Sequence, residues 1–281
     1  MNDKPLPPLG PQHTTMVQPT SNFQLNPVNA PAITVQPGLQ GQLVWMMRPK
    51  PIHGVPAGLE YLTVVDTLTV HQLYEIRELL LNYESKNKYV LRNANGEQVY
   101  YAFEESSLCQ RLCCGPNREF TIHIVDNFNS EVIRVTRPFK CFGGGCCGIF
   151  ACFECCSTEC QIEAPPGNVI GYVKQRRACC ASSFHIMDAE GNSVLTIDGP
   201  CCCLACGCHD INFPVTTPSN AEIGNIAKRW GGFIREALTD ADVFKVSFPM
   251  DLDVKVKALL LAATFLIDFM EFEQQPKNRQ T

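Results

Sequence analysis

The residues TDADVFKVSFPMDLDVKVKALLLAATFLIDFMEFE, at positions 239–273, contain the longest apolar run of the chain. An acidic segment opens the stretch, two lysines follow, and the run from Ala258 to Phe272 has only Asp268 and Glu271 as charged residues. A helix with apolar side chains on nearly all sides needs an apolar environment around its whole circumference. The stretch therefore predicts a helix that is enclosed, either by lipid or by the rest of the protein.

We predict this helix over residues 256–272, and its sequence is compatible with either lipid or a protein interior around it. Spanning the ~30 Å core of a bilayer takes ~20 apolar residues, whereas the fifteen residues of the run reach only ~22 Å. Asp268 near the bilayer centre would cost ~2.5–3.5 kcal/mol unless it faced protein or water. The same helix would fit the inside of a β-barrel. The residues expected to face lipid or core are Ala258, Leu259, Leu260, Leu261, Phe265, Leu266, Ile267, Asp268 and Phe269.

The first 55 residues have a different composition. Eleven of the twenty prolines precede Gly58, and this segment has only four charged residues. It cannot bury enough apolar surface to offset the entropy of ordering, so we predict a disordered tail without a secretory signal. Within it, Pro5, Pro7 and Pro8 could form a polyproline II ligand for an SH3-type domain. The alternative is a solvated tail that binds nothing.

Residues 56–273 form the predicted folded body, and residues 274–281 a short polar tail. The body is long enough for one sizeable domain. The net charge of −5 gives no indication of sequence-specific nucleic-acid binding. The six histidines form no recognisable catalytic triad or metal pair, and no phosphate-binding glycine motif occurs, so we do not expect an enzyme.

The body repeats a short pattern. Apolar runs starting at Ile122 and Phe184 each stop at an aspartate, resume six residues later and end near a proline, with identical spacing. A weaker copy starts at Tyr89, and all three are typical of β-hairpins. The Ile-Gly pairs at Gly171 and Gly224 mark a second repeated element. Repeated hairpins predict a mainly β sandwich or barrel, whose lumen the terminal helix could fill.

Seventeen cysteines occur in clusters, and their odd number argues against a disulfide framework. Cys152, Cys155 and Cys156 lie among phenylalanines, which suits S-acylation at a membrane surface. Cys152-x-x-Cys155 and Cys203-x-x-Cys206 also have the spacing of zinc or iron–sulfur ligands. A third interpretation is a set of buried, inert thiols.

The acidic segment Asp240–Asp251 has the length of an EF-hand loop, with acids at its first, third and twelfth positions. Phe244 offers no side-chain oxygen, Lys245 replaces a glycine, and Asp251 is shorter than the usual glutamate. Any Ca²⁺ site built this way should be weak, with a dissociation constant of ~10⁻⁴–10⁻³ M. The alternative is an aspartate-rich turn followed by a strand. The residues of the predicted calcium segment are Asp240, Asp242, Phe244, Val246, Phe248 and Asp251.

Several blocks together resemble the phospholipid scramblase family, and they cover the body from about Gly54 to Glu273. These blocks are Gly54-Val-Pro-Ala-Gly-Leu-Glu-Tyr-Leu62, Glu163-Ala-Pro-Pro-Gly167, Arg229-Trp-Gly-Gly232, Arg235-Glu-Ala-Leu-Thr-Asp-Ala-Asp242, Phe248-Pro-Met-Asp-Leu-Asp-Val-Lys-Val-Lys257 and Phe265-Leu-Ile-Asp-Phe-Met270. The resemblance implies calcium-activated, ATP-independent movement of phospholipids between leaflets. It also implies a tubby-like β-barrel around the C-terminal helix. In the family this helix is alternatively described as a single membrane anchor.

The family's calcium segment falls on Asp240–Asp251, and its palmitoylated run includes Cys152, Cys155 and Cys156, although Ala151 and Phe153 replace cysteines there. The family's nuclear-import stretch keeps only Lys228 and Arg229. The resemblance implies that the partners are phospholipids and that homo-oligomers are possible. It implies a location at the cytoplasmic face of the plasma membrane, with a possible nuclear or other-organelle pool. The rival hypothesis is a membrane-tethered, acylated adaptor with SH3-type partners and an indirect effect on lipids.

Overall fold

The structure is a computed structural model that describes residues 44–73, 87–114, 118–139, 157–178, 181–201, 209–230 and 242–272. Its strands alternate buried and partly exposed residues, as the two-residue period of a β-strand requires. In β4, for example, Phe120, Ile122 and Ile124 are buried, whereas Thr121 and His123 face outwards. The predicted hairpins therefore form strands with one face towards a core.

Most of the elements in the described part of the chain are strands. A short 3₁₀ helix (Glu60–Val64) precedes the first strand, and α1 (Leu108–Cys114) lies between β3 and β4. The strands are β1 (Thr67–Leu73), β2 (Lys88–Asn93), β3 (Gln98–Glu105), β4 (Phe120–Val125), β5 (Glu131–Arg137), β6 (Glu159–Glu163), β7 (Val169–Arg176), β8 (Ala181–Asp188), β9 (Ser193–Cys201), β10 (Ile211–Thr216), β11 (Glu222–Lys228) and β12 (Val243–Ser247). The last elements are α2 (Val254–Ile267) and a π-helical turn (Asp268–Phe272).

The twelve strands form a closed barrel in which every neighbouring pair is antiparallel. Each strand pairs with the next along the chain, and β12 returns to pair with β1, where Phe244 lies opposite Val70. The three hairpins predicted from the repeats are β2–β3, β4–β5 and β8–β9. The prediction of a mainly β barrel with a C-terminal helix is therefore confirmed.

The alternation of the strands gives the barrel two different ends. The connections β2–β3, β4–β5, β6–β7, β8–β9 and β10–β11 are turns of four or five residues, and we call this the short-turn end. The connections β1–β2, β3–β4, β5–β6, β7–β8, β9–β10 and β11–β12 leave and return at the opposite end, which we call the long-loop end. Because β12 runs towards the short-turn end, α2 starts there and its last residues reach the long-loop end.

The apolar helix lies inside the barrel. Every residue of α2 from Lys257 to Ile267 is buried, and the helix contacts strands β6, β7, β8 and β12. This arrangement resolves the choice between lipid and core in favour of the core. Within the described residues, no helix combines the length and the apolar character needed to cross a bilayer.

The barrel unit begins earlier in the chain than composition predicts. Composition places residues 44–55 in the proline-rich tail, yet the Met46 amide donates to the Gln98 carbonyl at 2.8 Å. Met46 and Val55 pack against the core. The low charge and the prolines of this segment do not indicate that it is folded. Its contacts are made with strands that are distant in sequence, so composition cannot predict them.

Gly171 shows why the Ile-Gly pair repeats. A Cβ atom on Gly171 would lie 2.2 Å from the Met187 carbonyl oxygen and 2.9 Å from Leu259 Cδ1 on the lumen helix. A Cβ atom on Gly224 would lie 2.4 Å from the Ser247 carbonyl oxygen. Both glycines therefore allow a neighbouring strand, and in β7 also the helix, to approach closely.

Candidate functional site

The lumen helix begins at the short-turn end, beside the acidic segment. Asp253 is its N-cap, and one of its carboxylate oxygens accepts a hydrogen bond from the Lys255 amide at 2.8 Å. Such a cap satisfies an amide at the helix start that would otherwise lack a partner. The cap fixes where the chain turns from strand β12 into the barrel.

Lys257 is the first buried residue of α2, and its ammonium group is fully paired. Nζ donates to the carbonyl oxygens of Leu62, Val65 and Met250 at 2.9, 2.9 and 2.7 Å. It also lies 5.0 Å from the centre of the Phe248 ring. Burial lowers the pKa of Lys257, while nearby carboxylates oppose this shift. The residue thus locks the helix start to the segment that closes the short-turn end.

Asp268 marks the other end of the helix. Its Oδ2 accepts a hydrogen bond from the Tyr89 hydroxyl at 2.7 Å, and the Tyr89 ring packs edge-on against Phe265 at 5.0 Å. The carboxylate that would be costly in a bilayer therefore lies in the lumen with a donor from the barrel wall. This contact fixes the rotation of the helix end.

A buried ion pair lies close to the same end. Arg118 donates from Nε and Nη2 to the two carboxylate oxygens of Glu104, at 2.8 and 3.1 Å, and both side chains are fully buried. Burial alone would raise the pKa of Glu104, but the hydrogen bonds and charge of Arg118 lower it. The Arg118 guanidinium is 4.7 Å from the centre of the Phe269 ring, which stacks on Phe120 at 4.1 Å. The apolar lumen thus ends in a charged and aromatic layer.

Lys228 and Asp242 extend this layer to the wall at β11 and β12. Lys228 Nζ lies 2.7 Å from Asp242 Oδ1 and 3.9 Å from the centre of the Phe272 ring. Phe272 also contacts the ring of Phe244 at 5.7 Å. The last turn of the helix is therefore held against β11 and β12 by a cation and by aromatic packing.

The predicted calcium segment has an extended shape in the structure. Its middle part is strand β12, so Phe244, Val246 and Phe248 point into the core and are buried. Asp242 and Asp251 lie at opposite ends of this strand, which spans ~17 Å at ~3.3 Å per residue. The described part of the segment therefore does not fit a twelve-residue loop around one ion, and the alternative of a turn followed by a strand describes it better.

Several predicted residues lie outside the described residues. These are Asp240 of the calcium segment, the acylation candidates Cys152, Cys155 and Cys156, and the SH3-ligand candidates Pro5, Pro7 and Pro8. Their roles stay predictions. Of the cysteines with described side chains, Cys109 is exposed, Cys114 is half-buried and Cys160 is buried. Burial raises the pKa of the Cys160 thiol to about 12, so this cysteine matches the inert interpretation.

A metal site built from clustered side chains is not found in the described part of the chain. No group of three or more histidine, cysteine, aspartate or glutamate side chains there is placed to hold an ion. His123 contacts Glu131 and Glu105, at 2.8 and 3.0 Å, but through its two different ring nitrogens. This histidine therefore bridges two carboxylates on the outer wall instead of joining them at one ion.

Comparison with known proteins identifies the family. The family model described as Scramblase matches residues 46–274. The chain belongs to the phospholipid scramblase family. It is 44% identical over 248 residues to phospholipid scramblase 2 of Bos taurus, covering 88% of this chain and 82% of that protein. It is 44% identical over 237 residues to human phospholipid scramblase 1, covering 84% of this chain and 72% of that protein.

Human phospholipid scramblase family member 5 is 40% identical over 225 residues, covering 79% of this chain and 80% of that protein. No match was found among solved structures. The family assignment thus comes from sequence comparison, and the barrel topology from the structure of this scramblase-family chain.

The scramblase-family blocks have structural roles here. Gly54–Leu62 closes the short-turn end, where Leu59, Tyr61 and Leu62 are fully buried. Gly58 has a φ of +92°, and a Cβ atom there would lie 2.1 Å from Val132 Cγ1. The block around Ala164 forms the β6–β7 turn, and the block from Phe265 to Met270 is the end of the lumen helix.

The sequence does not predict the roles of four residues that fix the helix. In the sequence Lys257 is only a charge beside the apolar run and Tyr89 only the start of a hairpin, and nothing distinguishes Glu104 or Arg118. The signal for Lys257 was present, since a lysine at the start of an enclosed helix requires acceptors. The partners of the other residues could not be inferred, because they lie on strands distant in sequence.

Proposed function

We propose that this chain moves phospholipids between the two leaflets of a membrane, in both directions, in response to calcium and without ATP. Membership of the scramblase family over residues 46–274 is the observation that carries this proposal. The named relatives are phospholipid scramblases, and the match extends over most of both chains. The resemblance of the acidic segment to the family's calcium segment supports calcium activation, and the family resemblance as a whole supports independence from ATP.

The filled lumen restricts the route of the lipid. Leu260, Ala262 and Leu266 have no exposed surface inside the barrel. A polar head group would lose its hydration in such an interior without gaining partners. We therefore propose that lipids pass outside the barrel, by local distortion of the bilayer or along an oligomer.

We propose calcium as the activator from the types of residues in the acidic segment, and we assign no coordination geometry. The carboxylates of Asp240, Asp242 and Asp251 are hard oxygen ligands of the type that calcium prefers. The carboxylate of Asp242 is paired with Lys228, and strand β12 separates it from Asp251. A calcium site at Asp242 would therefore require the Lys228 contact to be released or shared.

Membrane attachment is proposed to depend on S-acylation of Cys152, Cys155 and Cys156. Two anchoring signals hold a protein on a membrane far better than one, so three clustered thiols suit stable attachment. The cytoplasmic face of the plasma membrane is the proposed location, with a possible nuclear or other-organelle pool. Replacing all three cysteines with alanine should remove hydroxylamine-sensitive acyl labelling. The buried Cys160 provides the matched control, since Cys160→Ala should leave the labelling unchanged.

A second candidate function is that of a membrane-tethered adaptor with SH3-type partners. The observation that favours it is the filled lumen, which offers no polar path inside the described barrel. In this case the proline-rich segment around Pro5, Pro7 and Pro8 would recruit partners, and lipid movement would be indirect.

Reconstitution separates the two functions. The full chain is purified and incorporated into liposomes of phosphatidylcholine and phosphatidylserine that contain a fluorescent phospholipid. We expect more of the fluorescent lipid to become accessible to an outside reductant with calcium than in protein-free liposomes, and no requirement for ATP. Accessibility equal to that of protein-free liposomes, with calcium present, would support the adaptor instead.

A further inference from the structure

Nine large apolar side chains of the described residues are exposed, and six of them lie at the short-turn end of the barrel. These six are Val44, Met47, Ile52, Val64, Phe128 and Met250. Single apolar side chains on a surface are ordinary, whereas a group of them indicates contact with a membrane or with another protein. The short-turn end is therefore the described part of the surface that best suits such a contact.

The charges at this end divide it into two parts. Residues 44–59, which we call the acid-free segment, contain Arg48, Lys50 and His53 but no aspartate or glutamate. In the other part, which includes Val64 and Met250, three carboxylates are exposed: Asp66, Asp251 and Asp253. The first part thus combines exposed apolar side chains with positive charge, and the second combines them with negative charge.

Backbone hydrogen bonds hold the beginning of the acid-free segment along the start of β3. The Met46 amide donates to the Gln98 carbonyl at 2.8 Å, and the Gln98 amide donates to the Val44 carbonyl at 2.9 Å. Met46 packs against the core, whereas the next residue, Met47, is 87% exposed. The segment therefore has one side on the barrel and one side towards the surroundings.

Arg48 joins the acid-free segment to the β4–β5 turn. Its guanidinium nitrogens lie 3.7 Å from a carboxylate oxygen of Glu60 and 3.7 Å from one of Asp126, and both acids are buried. The guanidinium carbon also lies 5.8 Å from the centre of the Phe128 ring. Since Arg48 follows Met47 directly, the exposed Phe128 ring and the acid-free segment form one continuous surface.

We propose that the surface formed by the acid-free segment and Phe128 lies on a phospholipid bilayer that contains anionic lipid. The inference rests on the proposed membrane function and deepens it by assigning the part of the barrel that touches lipid. Met47 and Ile52 would enter the boundary of the acyl chains, while the ammonium group of Lys50 stays among the head groups. Anionic head groups attract this part of the end and repel the carboxylates of the other part. The charge of the two parts therefore decides which of them faces the lipid.

Two matched pairs of variants give the first test. The full chain, produced in bacteria without acyl thioesters, is sedimented with phosphatidylcholine–phosphatidylserine vesicles in EDTA, so that calcium cannot bridge carboxylates to lipid. Met47→Ser should weaken binding about tenfold, and Lys50→Gln about fivefold. Met250→Ser and Lys255→Gln are the same changes at exposed positions beside Asp251 and Asp253, and should leave binding unchanged. Equal effects within either pair, or a larger effect beside the carboxylates, would overturn the assignment.

Tryptophan fluorescence gives a second test that leaves Met47 and Lys50 in place. The chain has two tryptophans: Trp45 lies in the acid-free segment, and Trp230 follows β11 at the long-loop end. Trp230→Phe leaves Trp45 as the only reporter, and Trp45→Phe leaves Trp230. With vesicles containing brominated phospholipids, we expect Trp45 to be quenched and Trp230 to keep its fluorescence. Quenching of Trp230, of both residues equally or of neither in vesicle-bound protein would contradict the assignment.

The remaining outcomes separate the surface from other partners and from lipid movement. A wild-type dimer, formed without vesicles and dissociated by Met47→Ser, would assign the surface to a second copy of the chain and overturn the inference. Lack of vesicle binding by the wild-type chain would also overturn it, while movement of lipid in reconstituted liposomes would still support the proposed function. Binding that depends on Met47 and Lys50 without lipid movement would reject the proposed function and keep the surface.

Discussion

The hydroxyl of Tyr89 donates a hydrogen bond to the carboxylate of Asp268, with 2.7 Å between the two oxygens. The bond links β2, near the start of the barrel, to the end of the lumen helix, 179 residues later. A buried carboxyl group without hydrogen-bond partners destabilises the folded state. The bond therefore ties the helix end to the second strand of the wall, in addition to the aromatic contacts of Phe269 and Phe272.

Tyr89→Phe should lower the free energy of unfolding by about 1–3 kcal/mol, because a buried carboxyl oxygen of Asp268 loses this donor. Urea denaturation of the full chain measures the change. Tyr172→Phe is the matched control, since Tyr172 lies half-buried on the outward-facing side of β7. Equal losses for the two variants would show that the Asp268 contact adds no stability.

Lys257→Met should destabilise the fold by about 2–4 kcal/mol. Methionine keeps most of the side-chain volume but leaves two buried carbonyl oxygens and one part-buried carbonyl oxygen without the ammonium donor. Lys255→Met, two residues earlier on the exposed side of the helix, should change stability by less than about 0.5 kcal/mol. A stable Lys257→Met variant would mean that the segment around Leu62 does not depend on this lysine.

Gly171→Ala should cost about 3 kcal/mol. The added methyl group would meet the Met187 carbonyl and Leu259, so either the strand or the helix must shift. In the β8–β9 turn, Gly191→Ala meets only Met187 Cε at 3.9 Å, and its positive φ should cost about 1 kcal/mol. Thermal melting of both variants tests the difference, and similar melting temperatures would contradict the close packing of the helix on β7.

Glu271→Gln should stabilise the protein at neutral pH. Burial raises the pKa of Glu271 above its ordinary value, although a hydrogen bond from Ser182 partly opposes this. The folded state thus favours the protonated form, and its stabilising contribution is lost as the pH rises through the raised pKa. Glutamine cannot ionise and keeps an acceptor for Ser182.

The advantage of Glu271→Gln in melting temperature should therefore shrink as the pH is lowered towards the ordinary carboxyl pKa. Melting temperatures measured over a pH series check this, with Glu190→Gln in the exposed β8–β9 turn as control. An advantage that is constant with pH would show that ionisation of Glu271 is not responsible.

Lys228→Met should increase the affinity of the chain for terbium, a luminescent substitute for calcium, because it removes the cation that neutralises Asp242. Lys174→Met is the control, since Lys174 lies 3.4 Å from Glu159 on the outer wall, away from the acidic segment. Terbium luminescence titrations compare the two variants with wild type. If Lys228→Met binds terbium as wild type does, Asp242 is not a ligand.

The hairpins could be predicted because their turns are local. Asp126 Oδ1 accepts hydrogen bonds from the amides of Phe128 and Ser130, and Asp188 Oδ1 accepts one from the amide of Asn192. Side chains that bond to backbone a few residues away leave a pattern that is visible in sequence. The enclosed helix was visible for a similar reason, since its apolar residues are contiguous.

The closure of the barrel and the anchoring of the helix could not be predicted in the same way. Pairing of β1 with β12 joins segments at opposite ends of the chain, and no local pattern specifies it. In the acidic segment, by contrast, a local pattern is misleading. The spacing of its carboxylates is that of a calcium-binding loop, whereas the segment forms a strand in which Phe244 and Val246 are buried. The pairing of β12 with β1 and β11 determines that this segment is a strand.

Among the described elements, the lumen helix and the π-helical turn that follows it are the last to be synthesised. All twelve strands, made at about 5–20 residues per second, precede the segment that fills them. Until that segment emerges, the inward-facing residues of β6, β7, β8 and β12 lack the helix that they contact in the folded protein. The nascent protein thus passes through an unfilled state late in translation, and a chain that stops short of Val254 would remain in it.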